Sequence, residues 1–278
     1  MSSTTVNTVT HPYIPARSGD SRSPCPALNA LANHGYIPRR GTKIHFTHLL
    51  NAVRTVYNLT LPLAFLLTIA GFVTCAKLSF SFPSSPSSPT SPVRTRRTPS
   101  WPCQPEKTSS ILSWSRFTLP LPSISWTLDL ESLCARGWTK ITHDAALVHT
   151  APTNAPDPIL VQNLLTAAER GLTLRGLADY HAERTRSLTH PESTFHSHIG
   201  LAECGLAWLM LRTRPAATTS EENGLIEPEA LRVWMGDECL PEAWCGNENA
   251  QRPGNAIGLR EAHAMALIVG KLSESTSR

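Results

Sequence analysis

The sequence predicts a mainly α-helical protein with one compact domain and a disordered insertion. Apolar residues recur at helical spacing between capping residues in several segments, and no run of alternating apolar and polar residues rivals them. A tract rich in serine and proline interrupts these segments at residues 77–125. Of the 278 residues, 41% are hydrophobic, so the rest of the chain can form one ordinary core.

Three segments in the second half of the chain carry the clearest helical signals. Asp157 caps the first, a proline occupies its first turn, and Gly171 ends it. Thr173 begins the second, and Ser193 or the threonine after it caps the third, whose apolar positions extend to residue 209. Weaker helical patterns follow four further positions: Thr47, Asp129, Glu227 and Gly258.

The most apolar segment of the chain has two interpretations. Between Arg54 and Lys77 lie 22 uncharged residues, which is long enough to span a bilayer. The other interpretation is a wholly buried core helix that begins after Thr60, with Pro62 in its first turn, where a missing N–H costs nothing. We favour the core helix and keep membrane association through residues 59–76 as the alternative.

The basic charge of the protein is confined to one segment. Residues 77–125 contain nine prolines, fourteen serines, and six basic residues against one acidic residue. The net charge of this segment is +5 and that of the whole chain is +4, so the remainder of the chain has no basic surplus. We therefore expect no nucleic-acid partner. The tract also lacks apolar periodicity and cannot offset the entropy of ordering itself, which predicts a disordered insertion.

The N-terminus and the cysteines indicate the cellular compartment. The first 24 residues lack the basic segment and apolar core of a secretory signal peptide, so we expect an intracellular protein. Within it, residues 1–10 are expected to be disordered and residues 272–278 to form a tail. The seven cysteines include no CxxC pair, which argues against a disulfide framework or a zinc site.

Cys25 stands between two prolines, directly before a segment with helical character. Pro24 and Pro26 stiffen the backbone, and a helix N-terminus favours the charged thiolate through its amides and its dipole. A thiolate held in this way is a soft metal ligand or a nucleophile. On residue type alone, a small buried cysteine beside a stiff turn is the more common structure.

Residues 19–41, with the sequence GDSRSPCPALNALANHGYIPRRG, resemble the heme-thiolate peroxidase family, which includes chloroperoxidases and unspecific peroxygenases. Pro-Cys-Pro, Leu-Asn, Asn-His-Gly and Pro-Arg in this order carry the resemblance. It implies a single helical heme-binding domain over residues 11–271, which holds heme b with Cys25 as the proximal iron ligand. A thiolate ligand donates electron density to the iron and assists cleavage of the O–O bond.

The same resemblance bears on the apolar segment and on the insertion. In relatives, the helix that matches residues 61–76 is followed shortly by a segment like the one that begins at Thr127. This favours a core helix over a membrane span. It also implies that residues 77–125 are either an inserted surface loop or a translated intron.

Two further segments are similar to distal motifs of this family. The first is THDAA at residues 142–146, and the second is LAECGLAW at residues 201–208. The resemblance implies that Glu203 transfers a proton between the two peroxide oxygens, and that His143 orients and charges this carboxylate. We expect a raised pKa for Glu203, because desolvation on an otherwise apolar helix face disfavours the charged form.

The first of these segments departs from the family at the position of a divalent cation. Relatives hold the cation against a heme propionate, but Thr142 and Ala146 replace the acidic and hydroxyl residues of the motif. Asp144 is left as a weak ligand for Mg²⁺ or Mn²⁺, because one carboxylate makes a poor site for a hard cation. Where long peroxygenases have an arginine, this chain has His196, so it resembles the branch that uses a His–Glu pair.

Taken together, the motifs predict a heme peroxidase that uses hydrogen peroxide. Its second substrate is a halide ion, a small organic molecule that accepts oxygen, or both. Two alternatives belong to other classes of protein. One is a catalytically silent heme-binding relative, and the other is a single-pass membrane protein with a disordered basic segment.

Overall fold

The computed structural model describes residues 11–81, 123–137, 139–150, 153–213, 224–244 and 255–276. The chain divides into two units, one formed by residues 1–77 with 126–278 and the other by residues 78–125. The expected disordered N-terminus at residues 1–10 lies outside the described residues. Of the expected insertion, the two ends form β-strands instead of disordered loop, and residues 82–122 lie outside the described residues.

Helices dominate the described chain, which confirms the predicted mainly α-helical fold class. The α-helices are α1 (Pro26–Asn33), α2 (Phe46–Tyr57), α3 (Leu61–Cys75), α4 (Pro158–Ala167), α5 (Leu174–Arg186), α6 (Thr194–Leu211), α7 (Pro228–Leu231) and α8 (Leu259–Thr276). Short 3₁₀ segments lie at Leu130–Cys134 and Glu242–Trp244, and a π-helical turn at Arg232–Gly236 follows α7. A small sheet contains β1 (Ile44–His45), β2 (Lys77–Ser81) and β3 (Ser123–Leu128) in the order β1-β3-β2. Strand β1 pairs antiparallel with β3, with Ile44 opposite Leu128.

The predicted caps of the three clearest helices are present. Asp157 accepts hydrogen bonds from two backbone N–H groups at the start of α4. Thr173 and Ser193 each accept one at the starts of α5 and α6. Helix α4 ends at Ala167, and Gly171 serves the turn after it with φ +90°. Helix α8 continues to residue 276 and so takes up most of the segment that we expected as a tail.

Helix α3 is half buried, so the expectation of a wholly buried core helix is wrong. Leu63, Ala64 and Phe72 are buried in the core, but Phe65 and Val73 are exposed, Val73 by 70%. The helix has 15 residues. Among the described residues, no helix combines the length and apolar character needed to cross a membrane.

Helix α6 is held between two other helices of the larger unit. It packs against α5 and α8, and at Gly205 the backbones of α6 and α8 come so close that a Cβ atom would lie 3.0 Å from the backbone nitrogen of Ala266. Trp208, one turn further, is almost fully buried. This packing fixes the position and rotation of α6, and therefore the direction in which Glu203 projects from the helix.

Candidate active site

Cys25 is placed by the first turn of α1. It is the N-cap residue of the helix, with an extended backbone at φ −101° and ψ 109°, and Pro26 begins the helix. The backbone N–H groups of Ala27 and Leu28 donate hydrogen bonds to the sulfur. The Cys25 side chain is exposed, and the space it faces is a cavity inside the protein.

A buried hydrogen-bond network fixes the turn that carries Cys25. Asn29 donates from Nδ2 to the carbonyl oxygen of Ser23 at 2.7 Å, and accepts at Oδ1 from the backbone N–H of Ser23 at 2.9 Å. The hydroxyl of Ser23 in turn accepts from the N–H of Cys25. Asn29 also donates to Glu238 Oε1 at 2.6 Å, and Glu238 adopts φ +50°. The network therefore joins the turn to a residue far along the chain.

A second asparagine extends this network. Asn33 accepts two hydrogen bonds from the guanidinium of Arg22, at 2.6 and 3.2 Å, and donates to the backbone carbonyl of Glu238 at 3.0 Å. All three residues are buried. Burial raises the pKa of the Glu238 carboxyl to about 7. His149, with Nε2 at 3.9 Å from Glu238 Oε1, has a pKa lowered to about 4 by burial.

The helix N-terminus does not by itself make Cys25 a thiolate. Burial raises the pKa of the thiol to about 11 and outweighs the opposing amide hydrogen bonds from Leu28 and Ala27. The amides thus act in the expected direction, and in the protein without a bound metal burial outweighs them. A metal ion bound at the sulfur would supply the positive charge that a thiolate needs, since a coordinating thiol loses its proton.

Glu203 and His143 meet across the cavity wall. The imidazole Nε2 lies 2.9 Å from Glu203 Oε2. Glu203 projects from α6 among Ile199, Ala202 and Leu206, which also line the cavity. His143 lies on an irregular segment and its side chain is 8% exposed. The two residues thus form a close pair with one partner on a rigid helix.

The pKa values of both residues are shifted toward their charged forms, which corrects the expected raised pKa of Glu203. Burial alone would raise the pKa of this carboxyl. The hydrogen bond and the charge of His143 lower the pKa by more than burial raises it, so the pKa lies below its ordinary value. For His143, burial lowers the pKa, but the hydrogen bond and the charge of Glu203 raise it above its ordinary value. The pair is therefore best described as a carboxylate and an imidazolium.

Three residues around this pair were missed by the sequence reasoning. Glu192 faces the other ring nitrogen of His143, with 3.9 Å between Oε1 and Nδ1. His181 of α5 and Gly200 of α6 pack beside the ring, and a Cβ atom on Gly200 would lie 2.8 Å from His181 Nε2. The helical spacing of Gly200 and Glu203 places both on one face of α6 and could have indicated Gly200. No local sequence signal points to Glu192.

One apolar cavity of about 300 Å³ connects these groups. Cys25 and its flanking residues line it, and so do Glu203 and His143. The remaining wall is largely apolar and comes from α2, α3, α6 and the π-helical turn, including Leu49, Val53, Leu67, Gly71, Met210 and Trp234. Three of the four predicted site residues therefore line one cavity.

The fourth predicted site residue, Asp144, does not line this cavity. Its carboxylate forms an ion pair with the guanidinium of Arg136. Within the described parts of the chain, no group of three or more His, Cys, Asp or Glu side chains is arranged to hold a metal ion. The cation site at Asp144 stays a prediction, and a cation there would have to displace Arg136.

Several known proteins are similar to parts of this chain. An aromatic peroxygenase of Coprinellus radians is 47% identical over 53 residues, 19% of this chain and 20% of that protein. A chloroperoxidase of Leptoxyphium fumago is 60% identical over 43 residues, 16% of this chain and 12% of that protein. An aromatic peroxidase of Fusarium equiseti is 46% identical over 65 residues, 23% of this chain and 15% of that protein. The matches thus cover no more than 20% of the length of these curated relatives.

A broader comparison covers the site as a whole. The sequence model of a protein family described as "Peroxidase, family 2" matches residues 11–249. The match includes Cys25, His143 and Glu203 and all other residues that line the cavity. Because it extends over well more than half of the chain, the chain belongs to the family Peroxidase, family 2.

Proposed function

We propose that this protein is a heme-thiolate peroxidase that uses hydrogen peroxide to oxidise a small organic molecule or a halide ion. One observation carries the proposal. A single apolar cavity is lined both by the Cys25 thiol and by the ionic pair of Glu203 and His143. The names of the partial relatives, aromatic peroxygenase, chloroperoxidase and aromatic peroxidase, support the same activity.

The residues around the cavity fit a heme group bound through Cys25. The thiol faces the cavity and two backbone amides contact its sulfur, so a thiolate formed there has hydrogen-bond donors in place. A soft sulfur ligand suits iron, and the apolar wall suits the face of a large aromatic ring system. When bound through this thiolate, heme supplies an electron-rich iron that favours cleavage of the peroxide O–O bond.

Glu203 is the base that accepts the peroxide proton. Its contact with His143 keeps the carboxylate ionised although it lies in an apolar wall. An ionised carboxylate can take a proton from one oxygen of hydrogen peroxide and return it to the other, which then leaves as water. His143 balances the carboxylate charge and directs Oε2 through the 2.9 Å contact. In this role His143 acts through Glu203 and is a positioning residue.

The proposal is tested by the absorption spectrum of the ferrous carbon monoxide complex. We expect the full chain, produced with heme, to show the long-wavelength band that is typical of thiolate ligation. Cys25→Ser is expected to lose this band and peroxide-driven turnover. Cys134→Ser is the matched control, because Cys134 does not line the cavity, and it should retain both.

Each outcome separates the proposed activity from its alternatives. Absence of the band in the unmodified protein would overturn the assignment of Cys25. A protein with the thiolate band but without peroxide-driven turnover would be a catalytically silent heme-binding relative. Turnover with organic substrates or with halide, measured separately, identifies the substrate class.

A further inference from the structure

A second buried carboxylate lies on the side of the His143 ring that faces away from Glu203. Glu192 has a side chain that is 3% exposed, and its Oε1 lies 3.9 Å from His143 Nδ1. The same oxygen accepts hydrogen bonds from the backbone N–H groups of Asp144 and Ala145. Glu192 Oε2 and His143 Nδ1 are both buried and have no hydrogen-bond partner. The ring is therefore placed between two carboxylates.

The other charged and titratable groups near the ring do not take this position. Arg136 forms an ion pair with Asp144. His181, from α5, has a pKa lowered by burial and is neutral at pH 7, and its Nε2 packs against Gly200. Glu203, from α6, contacts the opposite ring nitrogen, Nε2. Glu192 is thus the group that faces Nδ1 with a negative charge.

Burial of Glu192 requires a compensating positive charge. A carboxylate that leaves water pays a large desolvation penalty unless it accepts hydrogen bonds and faces a cation. The two backbone N–H groups satisfy one oxygen, but they carry no full charge. Arg136 supplies part of this charge from a distance, and the His143 ring lies between Glu192 and Glu203. A carboxylate that holds an imidazole in one orientation for a second group is a known catalytic arrangement.

We infer that Glu192 is a positioning residue for the peroxide reaction, which keeps the His143 ring oriented with Nε2 directed at Glu203. This inference rests on the proposed function, because it assigns the support of the acid–base pair. Glu192 touches neither the cavity nor a substrate in it, since it is not among the residues that line the cavity. Its effect is transmitted through His143.

The variant Glu192→Gln separates positioning by charge from simple tethering of the backbone. A glutamine side chain still offers an oxygen to the N–H groups of Asp144 and Ala145, but it removes the charge that faces Nδ1. We expect kcat/KM for hydrogen peroxide to fall about ten-fold, because a His143 ring that is no longer held in one orientation positions Glu203 less accurately, and misplacement of a catalytic group by an ångström can cost about 10²-fold. Glu183→Gln, at an exposed position of α5, is the matched control and should leave kcat/KM unchanged.

A double-mutant cycle with His143 tests the route of the effect. In the His143→Gln background, Glu192→Gln is expected to cause no further loss, because its target is absent. A tethering role predicts instead that the two losses multiply. Equal values for Glu192→Gln and the Glu183→Gln control, or multiplied losses in the cycle, would overturn the inference.

A spectroscopic readout is independent of turnover. In the diamagnetic ferrous carbon monoxide complex, the proton resonance of the His143 Nε2–H group reports the hydrogen bond between this nitrogen and Glu203. We expect one sharp, deshielded signal in the unmodified protein and a broadened or shifted signal in Glu192→Gln, with its absence in His143→Gln as the assignment. Unchanged ring signals in Glu192→Gln would overturn the inference. A missing thiolate band in the unmodified protein would instead overturn the proposed function, and the ring signals of the protein without heme would still test Glu192.

Discussion

The two sides of the cavity are assembled in different ways. On the Cys25 side, Ser23, Asn29 and Asn33 belong to one short stretch of sequence and bond largely to one another and to Arg22. On the opposite side, His143 and Glu203 come from distant parts of the chain and meet because α6 is held between α5 and α8. One side is thus a local structure, whereas the other depends on the packing of the whole domain.

The ionisation of the two sides differs for the same reason. Cys25 has amide contacts from its own turn but no counter-charge, so burial dominates and raises the pKa of the thiol to about 11. Glu203 has a counter-charge from elsewhere in the fold, so its pKa falls although burial alone would raise it. A local motif therefore reveals the ligand type, but the ionisation state depends on contacts that the motif does not contain.

The largest expected effect comes from removing the charge of Glu203. Glu203→Gln keeps the shape of the side chain but cannot take a proton, so kcat/KM for hydrogen peroxide is expected to fall about 10²- to 10⁴-fold. The thiolate band of the ferrous carbon monoxide complex should stay, because Cys25 is untouched. Glu169→Gln, at an exposed position after α4, is the matched control. Turnover retained in Glu203→Gln would show that the distal side is not built around this carboxylate.

The fold was predictable where its signals are local. Asp157, Thr173 and Ser193 each form the predicted cap, because a capping side chain bonds to backbone groups only two or three residues away. The half-buried state of α3 was not predictable in this way. Its sequence is apolar on all sides, so the choice of buried face depends on which other elements pack against it.

The same limit applies to the candidate site. Cys25 is singled out by the two prolines and the motif around it, and the structure places it on the cavity with Glu203 and His143. The roles of Glu192 and His181 need the tertiary structure, because neither belongs to a motif with the residue that it faces. The direction of the Glu203 pKa also needed it, since the resemblance implied the pair with His143 but not that this contact outweighs burial on an apolar helix face.

A smaller effect is expected from crowding the packing beside the His143 ring. In Gly200→Ala, the new Cβ atom would lie 2.8 Å from His181 Nε2, so the His181 ring must shift, and 3.4 Å from two atoms of the adjacent His143 ring. Overpacking of this kind costs about 1–3 kcal/mol of unfolding free energy. Because the His143 contact with Glu203 depends on the ring position, we also expect kcat/KM for hydrogen peroxide to fall about ten-fold, since misplacement of catalytic groups by an ångström can cost more.

The control for this crowding is Gly258→Ala. A Cβ atom at Gly258 meets no atom within 4 Å, so the same chemical change is made without a contact. Denaturant unfolding and steady-state kinetics should separate the two variants. Equal stability and equal kcat/KM in both would mean that the distal side tolerates movement and is not held by helix packing.

The smallest expected effect concerns a distant residue on the Cys25 side. Glu238 joins the Asn29 network although it lies far along the chain, and burial raises the pKa of its carboxyl to about 7 from an ordinary value of 4.5. Between pH 4.5 and about pH 7, the Glu238 carboxyl of the folded protein binds a proton that the unfolded chain has released. The stability that this carboxyl contributes is therefore lost as the pH rises through the window, by about 1 kcal/mol between pH 5.5 and 6.5.

Glu238→Gln removes this proton and so removes the loss. The difference in unfolding free energy between variant and unmodified protein should shift by about 1 kcal/mol in favour of the variant from pH 5.5 to 6.5. His149 makes an opposite contribution, because its lowered pKa of about 4 lets the folded state gain stability as the pH rises toward 6.5. This contribution is present in both proteins, so it largely cancels in the difference between them.

Glu229→Gln is the control, because this exposed carboxyl has a lowered pKa and is ionised in both states over the window. A constant difference across the window would mean that Glu238 is already ionised in the fold. The Cys25 side would then carry a buried negative charge that comes from a distant part of the chain.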